Sequence, residues 1–182
     1  LNIDNYPDYE GDIKGVSSLV SSLMGNGTKN QSKDDFNEEV DYMGASLSLS
    51  AGGGYVSSLK KYFPRNMEMM ADGLLNPIFV SEEFDKEKNI LIDGIKSSQK
   101  DVSTIASKVG DKLSYGFNHP YGEFESIETA ENITLEDVEN YYLTYAKPNN
   151  AYLTIVGDVN FEDIQKQIKT WLSSWKKGKL PK

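Results

Sequence analysis

Ala45-Ser46-Leu47-Ser48-Leu49-Ser50-Ala51-Gly52-Gly53-Gly54-Tyr55-Val56-Ser57-Ser58-Leu59 is the stretch on which the fold turns. Residues 45–51 alternate apolar and polar, the period expected when successive side chains point to opposite faces of a half-buried strand. Gly52-Gly53-Gly54 predicts a turn, and residues 55–59 a second strand, so the whole reads as an antiparallel hairpin. Around it the period is helical. Val16, Leu19, Val20 and Leu23 mark a helix over 12–24, ended by Gly25 and Gly27. Ser32 caps a second helix carrying Phe36, Val40 and Met43, which stops at Gly44. After the hairpin come a helix over 65–75, closed by Asn76-Pro77, and a long one capped by Ser81 with Phe84, Leu91 and Ile95 on its stripe. Ser103 opens the next, through Ile105, Val109 and Leu113. Thr134 caps a helix that runs to Tyr145, residues 151–156 form a third strand, and Phe161 to Trp175 line a last helix. Residues 1–11 read as irregular.

The order α-α-β-β-α-α-α-α-β-α predicts an α+β fold, a two-layer sandwich of mainly antiparallel sheet covered by helices on one face. Three strands are few for so many helices, so further N-terminal strands are expected beyond the sequence. No linker divides residues 1–182, which read as a single domain.

Composition narrows the chemistry. The 182 residues hold no cysteine and one histidine, which removes disulfides, thiolate–metal sites and any site needing two imidazoles. With 19 Lys+Arg against 28 Asp+Glu the net charge is −9, which argues against a nucleic-acid partner because phosphate binding needs concentrated basic side chains. The only basic cluster is Lys176, Lys177, Lys179 and Lys182, read as a solvated tail. No run of about 18 apolar residues predicts a membrane span, and no signal peptide is visible, although an excised fragment would look the same.

Several motifs invite chemistry. Gly25-Asn26-Gly27-Thr28-Lys29 imitates a phosphate loop but follows a helix and lacks the full spacing, so a helix C-cap is expected. His119 could serve as a lone general base with a serine, against the reading of a surface-loop histidine packed on Tyr121. Glu83 and Glu87, with Glu82 and Asp85 nearby, could pair as acid and base, but charge at a helix N-terminus explains them more simply. Three Asn-x-Ser/Thr triplets, at Asn26, Asn30 and Asn132, matter only in a eukaryotic secretory setting. Ser18, Ser21 and Ser22 share one face of the first helix.

Taken in order, the segments resemble the pitrilysin/insulinase family of zinc metallopeptidases, which includes the mitochondrial processing peptidases. The pieces are residues 15–24 through Gly27-Thr28, Tyr42-Met43-Gly44-Ala45-Ser46-Leu47, Leu74-Leu75-Asn76-Pro77-Ile78-Phe79, and Phe84–Glu87 with Ile90-Leu91. His119-Pro120-Tyr121-Gly122, Ile133-Thr134-Leu135-Glu136-Asp137, Tyr145, Pro148-Asn149 and Val156-Gly157-Asp158 complete the series. The family's His-x-x-Glu-His motif holds zinc on its two imidazoles, and its Glu activates the bound water. Those three positions fall here on Ser18, Ser21 and Ser22, and that of the third ligand, a Glu on the long helix, on Gly94. Glu87 matches an acidic position of the family that is not a ligand.

The resemblance therefore implies an inactive domain without zinc or other cofactor. It would complete a peptide chamber or support a zinc-bearing homologous half, fused or separate, with peptide as a possible substrate. Ser46, Leu47, Ser48, Leu49 and Ser50 could pair with an extended peptide if their edge is free. The alternatives are a stand-alone peptide- or protein-binding module and a hydrolase built on His119. The compartment is not encoded; bacterial relatives of this type often occupy the cell envelope.

Overall fold

The computed structural model describes residues 1–3 and 9–181. Pro7, in the segment expected to be irregular, and Lys182 of the basic cluster lie outside the described residues. Contacts group the chain into two compact units, Leu1–Asp4 with Met24–Ile78 and Leu143–Lys182, and Asn5–Leu23 with Phe79–Tyr142.

The first unit holds the sheet. Its strands are β1 (Asn2–Ile3), β2 (Ser46–Ser50), β3 (Gly53–Ser57) and β4 (Ala151–Tyr152), all antiparallel in the order β2-β3-β1-β4. The hairpin is present, with Ser46 opposite Ser57 and Ser50 opposite Gly53. The turn differs from expectation: Gly53 and Gly54 belong to the ladder, not the turn. A Cβ on Gly53, at φ +122°, would strike the Leu1 carbonyl, and one on Gly54 would lie 2.8 Å from Met70 Cγ. These glycines admit β1 on one side and a helix beneath, rather than supplying a bend.

β1 replaces the expected irregular start of the chain, and alternation again explains it: Ile3 is buried while Asn2 is exposed. β4 is two residues long where six were expected, because it pairs with β1 alone and β1 is equally short. On the sheet pack α2 (Lys33–Tyr42) and α3 (Phe63–Leu75), and α8 (Phe161–Trp171) packs on α3, with Phe63 and Trp171 edge to face. Ser32 caps α2 by accepting from Asp35 N. Phe36, Val40, Met43 and Met69 form a core under Leu47 and Leu49, the inward residues of β2.

The second unit is helical: α1 (Val16–Leu23), α4 (Ser81–Ser98), α5 (Val102–Tyr115), α6 (Ile127–Asn132) and the start of α7 (Leu135–Tyr145). α1 packs on α4 and α4 on α6. Val80, not Ser81, stands at the N-cap of α4, and Asp101, not Ser103, caps α5 through Thr104 N at 2.6 Å. An Asp two residues earlier takes the role because its carboxylate reaches the free amides and carries the charge that a helix N-terminus favours. α6 has no counterpart in the sequence reading; its six residues are too few for a periodic signal, and a Ser126–Thr129 capping box defines it. Lys88 Nζ closes its other end, donating to the carbonyls of Glu131 and Ile133, both at 2.7 Å.

Candidate functional site

α1 carries two faces. Val16, Leu19, Val20 and Leu23 are each 1% exposed. Ser17, Ser18 and Ser21 are half-buried, and Ser22 is exposed. The polar face is organised by carboxylates arriving from elsewhere in the second unit. Glu10 accepts from Gly15 N at 2.8 Å and from Ser17 Oγ at 2.7 Å, so its charge satisfies a free amide at the N-terminus of α1. Glu123 takes the amides of Glu10 and Gly11, each at 2.9 Å, and Lys14 lies between the two carboxylates at 3.5 and 3.3 Å. Ser18 Oγ donates to Glu125 Oε1 at 2.5 Å, and Ser21 Oγ to the Ser17 carbonyl at 2.9 Å.

Gly94 lies on α4, the helix against which α1 packs. It is exposed, and a side chain built there would enter open space. Nothing in the packing explains a helix-interior glycine at this point, where Gly costs about 1 kcal/mol against Ala.

These residues do not fit zinc. Serine hydroxyls are poor neutral ligands, Gly94 offers no ligand atom, and Glu125 is already engaged by Ser18. Among the described residues no three His, Asp or Glu side chains converge as a metal site.

The other candidates are accounted for by local structure. His119 sits exposed in a surface turn. Its Nδ1 accepts from Tyr121 N at 3.1 Å and its ring stacks on Tyr115 at 5.2 Å. Glu83 pairs with Lys86 at 3.7 Å, one turn away. Gly25–Lys29 is no phosphate cradle. Thr28 is buried, receives the amides of Asn30 and Gln31, and donates to Asp72 Oδ2 at 2.5 Å. Asp72 also accepts from Asn30 and Asn76, pinning this loop to the end of α3. The sequence reading missed Asp72; its only local trace was an acidic residue four positions before Asn76. Nearby, Arg65 grips Glu39 through two nitrogens, at 2.5 and 2.8 Å. The Arg65 hydrogen bonds hold the Glu39 carboxyl at about 2.

β2 stands at the edge of the sheet. Its inner flank pairs with β3 over five residues, and its outer flank meets no strand among the described residues. Leu47 and Leu49 turn inward, while Ser46 and Ser48 are exposed. No helix of the described residues is long and apolar enough to cross a membrane.

Comparison with known proteins matches this arrangement. The model of Insulinase (Peptidase family M16) covers residues 9–114, and that of the Peptidase M16 inactive domain covers residues 132–182. An uncharacterized zinc protease of Bacillus subtilis, YmxG, is 23% identical over 175 residues, 92% of this chain and 42% of that protein. Mitochondrial-processing peptidase subunit beta of Bos taurus is 22% identical, over all of this chain and 39% of its own length. The chain thus spans about two fifths of the curated relatives it matches. In fold it is similar to a protease from Helicobacter pylori (TM-score 0.87, 19% identity, 100% of this chain and 46% of that one). It is equally similar to a peptidase M16 inactive domain from Pseudomonas fluorescens (TM-score 0.86, 19% identity, 99% and 45%). With its first model match running over more than half of its length, the chain belongs to the insulinase family, peptidase family M16.

Proposed function

We propose that this chain is a non-catalytic domain of a larger peptidase-family protein, in which Ser18, Ser22 and Gly94 occupy positions where catalytic members hold zinc, and Ser21 that of the Glu that activates the bound water. The observation that carries the reading is the donor set. α1 and α4 are packed together as helices, and the residues that this reading places at the zinc site are hydroxyls and a bare glycine facing open space. A solvated serine face would account for α1 alone, but it gives no reason for a glycine inside α4.

The domain's role is then to complete a peptide chamber or to support a zinc-bearing homologous half, fused or separate. The likeness to a named subunit of a processing peptidase supports it. The free edge of β2 offers main-chain donors and acceptors at Ser46–Ser50 on which an extended peptide could add as a further strand.

Two measurements test this. The purified chain should hold no stoichiometric zinc and cleave no peptide; zinc in a 1:1 ratio that a chelator removes would overturn the reading. The quadruple variant Ser18→His, Ser21→Glu, Ser22→His, Gly94→Glu should gain tight 1:1 zinc binding, because the helices already stand together. Absence of gained binding in a folded quadruple variant would mean that these positions never formed a metal site.

A further inference from the structure

Within the second unit, α5 turns its apolar side outward. Val102, Ile105, Val109 and Leu113 recur at i, i+3, i+7 and i+11, and the 3.6-residue turn gathers them into an arc of about 80°. A stripe of this kind ordinarily faces a core. Here all four side chains are exposed, Val102 to 79% and Leu113 to 84%. The residues of α5 that are half-buried are Thr104, Lys108 and Lys112. They rest on the loop that follows the helix, at Phe124, and among the described residues no helix or strand packs along α5.

The two lysines border the stripe on one side. Lys108 Nζ stands 5.1 Å from the centroid of the Phe124 ring, and Lys112 Nζ 4.4 Å from that ring and 4.2 Å from Phe117. Neither ammonium has a carboxylate partner among the described residues, in a chain with 28 Asp+Glu against 19 Lys+Arg. Beside this border, a groove of about 390 Å³ separates Ile95, Ser98 and Gln99 at the end of α4 from Ile105 and Val109. Glu125 also lines the groove, but its carboxylate accepts from Ser18 Oγ. The other border of the stripe, with Ser103, Ala106 and Gly110, carries no charge.

We propose that this face docks an amphipathic helix of a partner protein, one with an apolar stripe of about three turns and carboxylates along one flank, set against Lys108 and Lys112. Length favours a helix. From Val102 to Leu113 the stripe runs about 17 Å at 1.5 Å per residue, and a helical ridge of that length packs into the groove of a second helix. A small amphiphile would fill the space between Ile95 and Val109 but leave Val102 and Leu113, which lie outside the groove's lining, in water.

Charge selects the kind of helix. Two ammoniums four residues apart on one border, opposite an uncharged border, call for carboxylates at i, i+3 or i+4 on one flank of the partner. The same charges disfavour other occupants. A second copy of the chain, packed antiparallel across a two-fold axis, would set this lysine border against its own copy. An anionic lipid surface would be repelled by the net charge of −9. A single helix face is at the small end of specific interfaces, so binding is expected in the micromolar range and to weaken with salt.

The test titrates the full chain with a capped peptide of three Leu-Glu-Ala-Leu-Glu-Gln-Gln repeats, whose leucines form one stripe and whose glutamates form one flank. Its counterpart carries Lys in place of every Glu. The glutamate peptide should bind 1:1 and about tenfold or more tightly than the lysine peptide, with the preference shrinking as salt is added. Leu113→Ser, at a side chain outside the core, should weaken that binding by about tenfold with the urea midpoint unchanged. Lys108→Glu together with Lys112→Glu should reverse the preference between the two peptides in a chain whose circular dichroism is unaltered. No binding of the glutamate peptide at millimolar concentration would overturn the proposal, as would equal binding of the two peptides or binding that Leu113→Ser leaves intact. Two further outcomes would also overturn it by giving the face another occupant: a dimer of the chain that Leu113→Ser dissociates, or co-sedimentation with phosphatidylglycerol vesicles that the same variant abolishes.

Discussion

The two faces of α1 differ in what holds them. The apolar face is buried to 1% exposure at four positions, and each of those side chains is fixed by the atoms around it. On the serine face Ser17, Ser18 and Ser21 make local or charge-assisted bonds, and Ser22 lies in solvent. The fold of α1 therefore rests on its apolar side, and the residues on its polar side are free to vary without loss of that packing. Packing of this kind is compatible with the likeness in fold to a protease of 19% sequence identity.

The apolar face breaks first. Leu19→Ala should lower stability by about 3 kcal/mol, from lost burial and the cavity left behind, read as a fall in the urea midpoint with an unchanged slope. A loss under about 1 kcal/mol would mean that α1 is not packed as described. Next in size is the carboxylate pair over the helix start. Glu123, whose side chain is 6% exposed, satisfies two amides and faces Lys14. Glu123→Ala should cost about 2 kcal/mol, since two half-buried N–H groups lose their acceptor and Lys14 keeps only Glu10 of its two carboxylates. Glu123→Gln, which retains one acceptor, should recover part of it.

This contrast is also where reading from sequence succeeds and fails. The apolar stripe of α1, the Ser32 cap and the alternation of Ser46–Ser50 are legible because each is a local period or a three-residue spacing. The carboxylate network is not: Ser18 and Glu125 are separated by 107 positions and Gly11 and Glu123 by 112, so no window holds both partners. Gly53 and Gly54 mislead for the same reason. Glycine is the usual residue of turns, but here it makes room for Leu1 and Met70, neighbours that only the folded chain brings close. β4 falls short because a strand's length depends on its partner as well as on its own residues. Nothing intrinsic to Ser18, Ser21, Ser22 or Gly94 points to a metal, and their proposed correspondence to a zinc site rests on family resemblance alone.

The polar face should yield smaller effects, graded by contact. Ser18→Ala removes a hydroxyl bond to a carboxylate that can turn to water, so a loss of about 1 kcal/mol is expected, with a double-mutant cycle against Glu125→Gln showing coupling of similar size. Ser22→Ala sits at the bottom of the scale. Its hydroxyl is exposed, alanine is the better helix former by a few tenths of a kcal/mol, and no core atom moves. Its stability should stay within about 0.5 kcal/mol of the parent in the same urea titration. A loss of 2 kcal/mol or more at Ser22 would show that this face is held by packing or bonds of its own. The serines would then be structural residues, and the separation of a constrained face from a released one would fail at the residue where it should be plainest.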